Sequence, residues 1–131
     1  MFLRFVQQRT NEDSGVREGL FRAAYALSRD SSLPFGDRVE LTGLLEWFER
    51  NLTTPDRFNR TTSKGYYRRA TRGIAWLKPS ASEHIAQMHV LAALLDRNGY
   101  ATEMIKSERP GYVVYEDDAQ IIAEPFRDTP T

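Results

Sequence analysis

Residues 73–99 read GIAWLKPSASEHIAQMHVLAALLDRNG and place a short apolar run directly before a long periodic one. The first run, 73–78, has the length and the aromatic and β-branched content of a strand, and a proline ends it. Ser80 and Glu83 match the S-x-x-E pattern of a helix N-terminus, so a helix is predicted over 81–97. Its apolar face consists of Ile85, Met88, Leu91, Ala92 and Leu95.

The N-terminal part of the chain predicts one strand and two helices. Loose alternation of apolar and polar residues over 2–8 indicates the strand. A helix is predicted over 16–29, with a buried stripe made of Val16, Leu20, Ala23, Ala24 and Leu27. Asp37 with Glu40 predicts the N-cap of a second helix. Its inward face would comprise Leu41, Leu44, Leu45, Trp47 and Phe48, and the short connection favours an antiparallel helix pair.

The C-terminal part predicts a β-meander with strands near 102–108, 111–116 and 120–125. The resulting order is β-α-α-loop-β-α-β-β-β. It indicates the α+β class, with three helices packed on one face of a mainly antiparallel sheet of about four to five strands. The length of 131 residues fits a single globular domain over 1–131. A homodimer through an exposed edge strand, 120–125 or 2–8, is one further expectation.

Two quoted stretches carry a resemblance to other proteins. Residues 109–126, RPGYVVYEDDAQIIAEPF, are preceded by GIAWLKPSASEHI at 73–85. Together they resemble uncharacterised small bacterial proteins. The resemblance covers the C-terminal half of the chain and implies a bacterial origin. It brings no activity, ligand or catalytic residue with it.

Composition excludes several chemistries. The chain has no cysteine, which excludes disulfides, thiolate zinc sites and cysteine nucleophiles. No apolar run is long enough to span a bilayer, and the N-terminus lacks the apolar region of a signal peptide. No glycine-rich nucleotide motif occurs, so no cofactor is expected. A soluble cytoplasmic protein without a membrane partner is therefore the expectation.

The basic segment, residues 57–72, reads RFNRTTSKGYYRRATR and holds six basic residues and no acidic one. Because the whole chain is formally neutral, the remaining residues together carry a net charge of minus six. Periodicity is lost over 51–72, which predicts a long exposed loop that attracts an anion. The candidate binding residues are Arg57, Arg60, Lys64, Tyr66, Tyr67, Arg68, Arg69 and Arg72. The alternative is pairing with the chain's own acidic tail, 103–128, which has seven acids against three bases.

An acidic turn forms a second candidate surface, made of Glu116, Asp117 and Asp118. Clustered carboxylates can hold Mg²⁺, but adjacent strand residues point to opposite faces, so a solvated turn is favoured. His84 and His89 are five residues apart on the predicted helix and cannot share one metal ion there. Neither catalytic nor metal-binding residues are therefore assigned.

These features lead to three functional hypotheses. The first is a non-enzymatic binding protein that presents the basic segment to an acidic protein partner, as an immunity- or antitoxin-type inhibitor would. The second is an RNA- or DNA-binding protein that uses the same segment, although such proteins usually have a basic isoelectric point. The third is a small metal-assisted hydrolase that uses the acidic C-terminal hairpin together with His84.

Overall fold

The computed structural model describes residues 1–59, 67–68 and 72–131. These residues divide into two compact units. The sheet unit comprises Met1–Arg4, Leu52–Ser82 and Ile105–Thr131. The helical unit comprises Phe5–Asn51 and Glu83–Met104. The division does not test the expectation of one domain, which stays a prediction.

The sheet unit is built around three antiparallel strands: β5 (Ile74–Leu77), β7 (Tyr112–Glu116) and β8 (Gln120–Glu124). Strand β8 lies between the other two and pairs with both. The first residues of β1 (Phe2–Thr10) extend this unit, because Leu3 lies opposite Leu77 of β5. Trp76 of β5 and Ile121 and Ala123 of β8 form a buried apolar cluster on one face of the sheet.

The helical unit begins with a hairpin whose second strand lies where the first helix was predicted to start. Residues Arg17–Gly19 form strand β2, which pairs antiparallel with the later part of β1, and α1 starts only at Leu20 and spans Leu20–Ser28. The side-chain oxygen of Asn11 accepts hydrogen bonds from the backbone N–H groups of Asp13 and Ser14. This Asx turn reverses the chain and places Val16 in the hairpin, so a non-local ladder overrides the helical pattern.

The other two helices follow the predicted apolar patterns more closely. Helix α2 spans Phe35–Asn51 and buries Leu41, Leu44, Leu45 and Phe48, while α3 spans Ser82–Arg97 and buries Met88, Leu91, Leu94 and Leu95. Asp37 is not the N-cap of α2 but lies within its first turn. Its carboxylate accepts hydrogen bonds from Arg97 at 3.0 Å and Asn98 at 3.1 Å. These hydrogen bonds, first from Arg97 and then from Asn98, lower the pKa of Asp37.

The predicted three-strand meander is wrong for its first strand. Strand β6 (Thr102–Ser107) pairs with β1, and only β7 and β8 form the expected hairpin. The expected edge strands are also wrong, since β8 and β1 each have neighbours on two sides. Among the described strands, β2 and β7 are the two ends of the hydrogen-bonded order, and β6 lies off this order beside β1. Dimerisation itself stays a prediction, but the two strands expected to mediate it are not edge strands.

The predicted α+β class is confirmed. The described residues contain three α-helices and a mainly antiparallel sheet, in the predicted order apart from three additional short strands: β2, β3 (Phe58–Asn59) and β4 (Tyr67–Arg68). None of the described helices is long and apolar enough to span a membrane.

Candidate functional site

A short pair of antiparallel strands within the basic segment belongs to the sheet unit. Strand β3 (Phe58–Asn59) pairs antiparallel with β4 (Tyr67–Arg68), so 51–72 is not wholly irregular as predicted. The reason is Phe58, whose side chain is buried against Val114 and Ile122. A single aromatic residue carries no periodicity, and its burial is therefore invisible in the sequence pattern.

A second contact fixes the chain that leads into the basic segment. Gln120 is 2% exposed, and its side-chain amide donates a hydrogen bond to the carbonyl oxygen of Thr53 at 2.7 Å. A buried amide with a satisfied donor specifies local backbone position, because leaving it unpaired costs free energy. The chain is thus held at Thr53, before the basic segment, and at Phe58, the second residue of that segment.

Only part of the candidate binding residues can be located. Arg57 and Arg72 lie at the two ends of the basic segment, and both are exposed. Neither forms an ion pair with any residue that the structure describes. The backbones of Tyr67 and Arg68 lie in β4. The remaining candidates lie outside the described residues: Arg60, Lys64, Tyr66 and Arg69.

Two carboxylates of the acidic tail are paired with cations elsewhere in the chain. Glu103 accepts a hydrogen bond from Arg17 at 2.7 Å within the helical unit. Glu116 lies 2.6 Å from the ammonium nitrogen of Lys78 within the sheet unit. Neither cation belongs to the basic segment. For these two acids, the alternative of pairing with the basic segment has no support.

The acidic turn is a structural element. Asp117 accepts hydrogen bonds from the backbone N–H groups of Ala119 and Gln120 and from the hydroxyl of Tyr115. These bonds close the turn between β7 and β8. Asp118 is exposed and forms no hydrogen bond with any described residue, so the three adjacent acids do not converge. Across 1–59, 67–68 and 72–131, no three His, Asp or Glu residues are grouped to hold a metal ion.

We expect the Asp117→Asn substitution to lower the free energy of unfolding at neutral pH. The substitution should also make this free energy depend less on pH in the acidic range. Burial raises the pKa of Asp117, but the hydrogen bonds from Ala119, Tyr115 and Gln120 outweigh it and lower the pKa below the ordinary 3.8. A carboxyl with a lowered folded pKa adds stability above its unfolded pKa and loses it as pH falls through the folded value. Urea unfolding at neutral pH should show a loss of about 1–3 kcal/mol for Asp117→Asn.

Measuring the stability of the Asp117→Asn variant over a series of pH values tests the hydrogen bonds of Asp117 more specifically. From neutral pH down to about pH 3, the stability of the Asp117→Asn variant should fall less steeply than that of the wild type. Asp118→Asn is the matched control, and it should stay within about 0.5 kcal/mol of the wild type. Parallel pH curves for wild type and Asp117→Asn would contradict the assigned hydrogen bonds.

The two histidines have separate packing roles in the helical unit. The Nε2 atom of His84 donates to the carbonyl oxygen of Asn51, the last residue of α2, at 2.7 Å. Its ring also contacts the ring of Trp47, with centroids 4.9 Å apart. His89 instead meets the ring of Phe5 edge-on at 4.9 Å. Neither arrangement supports the hydrolase hypothesis.

Sequence reasoning missed an open groove in the sheet unit. It has a volume of about 640 Å³ and is bordered by the turn before β7 and the chain after β8. Arg109, Tyr112 and Phe126 supply its aromatic and cationic wall. Arg109 and Phe126 are seventeen positions apart in the sequence, so their proximity could not be predicted from it. The sequence signal for the groove is a tyrosine directly after the Arg-Pro-Gly turn.

The chain was also compared with known proteins. No protein-family model matches it, and no significant match was found among curated proteins or solved structures.

Proposed function

We propose that this chain is a non-enzymatic binding protein whose basic segment, residues 57–72, binds an acidic protein partner. One observation carries the proposal. Arg57 and Arg72 bracket an acid-free basic segment, and both are exposed without an ion pair to any described residue. Exposed cations that the chain itself does not neutralise are available to an anionic surface.

The anchoring of the segment supports recognition by a defined surface. Burial of Phe58 and the hydrogen bond from Gln120 to Thr53 attach the N-terminal end of the segment to the sheet unit. A fixed attachment point reduces the conformational entropy that its own residues lose when the complex forms. The arginines add planar donors that pair bidentately with carboxylates.

An acidic protein fits the charge balance better than a nucleic acid. The chain is formally neutral, and its isoelectric point of about 6.7 gives no general attraction to a polyphosphate. As part of the same proposal, we propose a bacterial cytoplasm as its location, which the absence of cysteine and the bacterial resemblance support.

Comparison of two anionic probes tests the proposal. Fluorescence anisotropy would follow the binding of a labelled polyglutamate peptide and of an oligouridylate of equal length, at about 50 mM and about 200 mM salt. We expect the peptide to bind more tightly, with affinity that falls as salt screens the exposed arginines. Tighter oligouridylate binding would favour the nucleic-acid hypothesis. Absence of peptide binding at low salt would overturn the proposal.

A further inference from the structure

The groove beside β7 has an aromatic wall that holds a guanidinium in place. The Cζ atom of Arg109 lies 5.3 Å from the centre of the Phe126 ring. The ring of Tyr112 meets Phe126 edge-on, with centroids 4.9 Å apart and planes at 72°. Stacking on a ring orients a guanidinium while leaving its N–H edge free, and that edge matches a carboxylate.

Tyr112 leaves the groove with an exposed apolar surface. The residue is 58% exposed although it belongs to a strand and touches Phe126. An exposed aromatic ring next to an oriented arginine offers two different contacts within one small area. The ring can cover an apolar side chain, while the guanidinium of Arg109 binds an acidic one.

The walls of the groove are formed before any ligand binds. The backbone N–H of Phe126 donates to the hydroxyl of Thr129 at 3.0 Å, and the N–H of Thr129 donates to the carbonyl of Phe126 at 3.1 Å. On the opposite side, the N–H of Arg109 donates to the hydroxyl of Ser107 at 3.2 Å. Local turns of this kind reduce the ordering cost of binding.

The charges around the groove select the class of ligand. Besides Arg109 it is lined by Arg127, Glu108 and Asp128, all exposed and without an ion pair to any described residue. With two arginines and two carboxylates the lining carries no net charge and gives no general attraction to a chain of phosphates, whereas one guanidinium beside an aromatic ring matches adjacent acidic and apolar side chains of a peptide. The lining therefore favours a peptide over a nucleic acid.

We propose that this groove binds a peptide segment in which an acidic residue stands next to an apolar or aromatic one. The carboxylate pairs with the guanidinium of Arg109, and the apolar side chain packs on the ring of Tyr112. The inference rests on the proposed function, because it assigns the groove to the same acidic partner. Strand β7 joins the two surfaces, since Val114 contacts Phe58 at the root of the basic segment and Tyr112 precedes it by two residues.

Two capped peptides separate the groove from the basic segment. EEFEE and EEGEE carry the same charge and differ only in the central side chain. In calorimetric titrations of the full chain, EEFEE should bind roughly tenfold more tightly, as expected for an apolar side chain packed on an aromatic surface. Tyr112→Ala should remove this preference but retain the weaker binding of EEGEE, whereas Arg109→Gln should weaken the binding of EEFEE through loss of the carboxylate pair. Val113→Ala, an exposed neighbour on the same strand, is the control and should keep the preference.

The outcomes distinguish the two proposals. Equal binding of both peptides by the wild type would overturn the groove assignment and leave the proposed function standing. Absence of binding of either peptide would overturn both. Displacement of EEFEE by oligouridylate, lost in Tyr112→Ala, would reassign the groove to nucleic acid. Should a variant fail to fold, NMR shifts of Tyr112 in the wild type with EEFEE decide: their presence supports the groove, and their absence overturns it.

Discussion

Replacement of Gly111 by alanine is expected to destabilise the protein by at least about 3 kcal/mol. Gly111 has a φ of 147°, a conformation that side chains rarely adopt. A Cβ atom there would lie 2.0 Å from the carbonyl oxygen of Glu124 and 2.9 Å from the Cα atom of Pro125. Both contacts are with backbone, which cannot move aside as a flexible side chain would. The close approach also brings the Arg109 turn beside Phe126, so peptide binding in the groove should be lost as well.

Urea unfolding followed by circular dichroism measures the effect at Gly111, with Gly43→Ala as the matched control. Gly43 is exposed within α2, and nothing lies within 4 Å of the position of its Cβ atom. Alanine there should stabilise the protein by about 0.5–1 kcal/mol through its higher helix propensity. A Gly111→Ala variant within about 0.5 kcal/mol of the wild type would refute the assigned packing of this turn.

Reversal of two charges in the basic segment is expected to weaken polyglutamate binding roughly tenfold to a hundredfold. In the variant Arg57→Glu/Arg72→Glu, the segment's net charge falls from six to two, which reduces the Coulomb attraction to an acidic partner. Both residues are exposed and have no ion pair in the described part of the chain, so folding should be unaffected. Anisotropy at low salt gives the affinity, and thermal unfolding gives the stability.

The double variant Arg9→Glu/Arg50→Glu controls for total charge. Both of its residues are exposed and belong to the helical unit, and the change in net charge is the same. It should lower polyglutamate affinity much less, because charge outside the segment acts only through screened long-range attraction. An equal loss in both variants would mean that net charge, and not the basic segment, governs binding.

The sequence predicted correctly those elements whose formation depends mainly on a pattern within their own residues. Helix α3 begins at Ser82, one residue from the prediction, because its apolar periodicity and its N-terminal signal agree. The start of α1 was missed because Arg17 and Gly19 pair with β1 across an Asn11 turn. Strand β2 has only three residues, too few for a period-two alternation to be recognised in the sequence.

The same distinction applies to the candidate site. The excess of positive charge over 57–72 can be read directly from composition, and so can its lack of acids. The anchor at Phe58 and the pairing of Lys78 with Glu116 depend on partners 38 or more residues away. Next to the groove, the backbone of Gly111 closely approaches that of Glu124, an approach that only the folded chain reveals.

Mapping of an acidic polypeptide by NMR tests the central claim most directly. The isotope-labelled full chain would be titrated with polyglutamate at low salt while its backbone amide shifts are followed. We predict that the largest changes fall within residues 57–72, including Arg57 and Arg72, and decline as salt is added. Saturable binding that shifts other surfaces and leaves these residues unchanged would contradict the role of the basic segment.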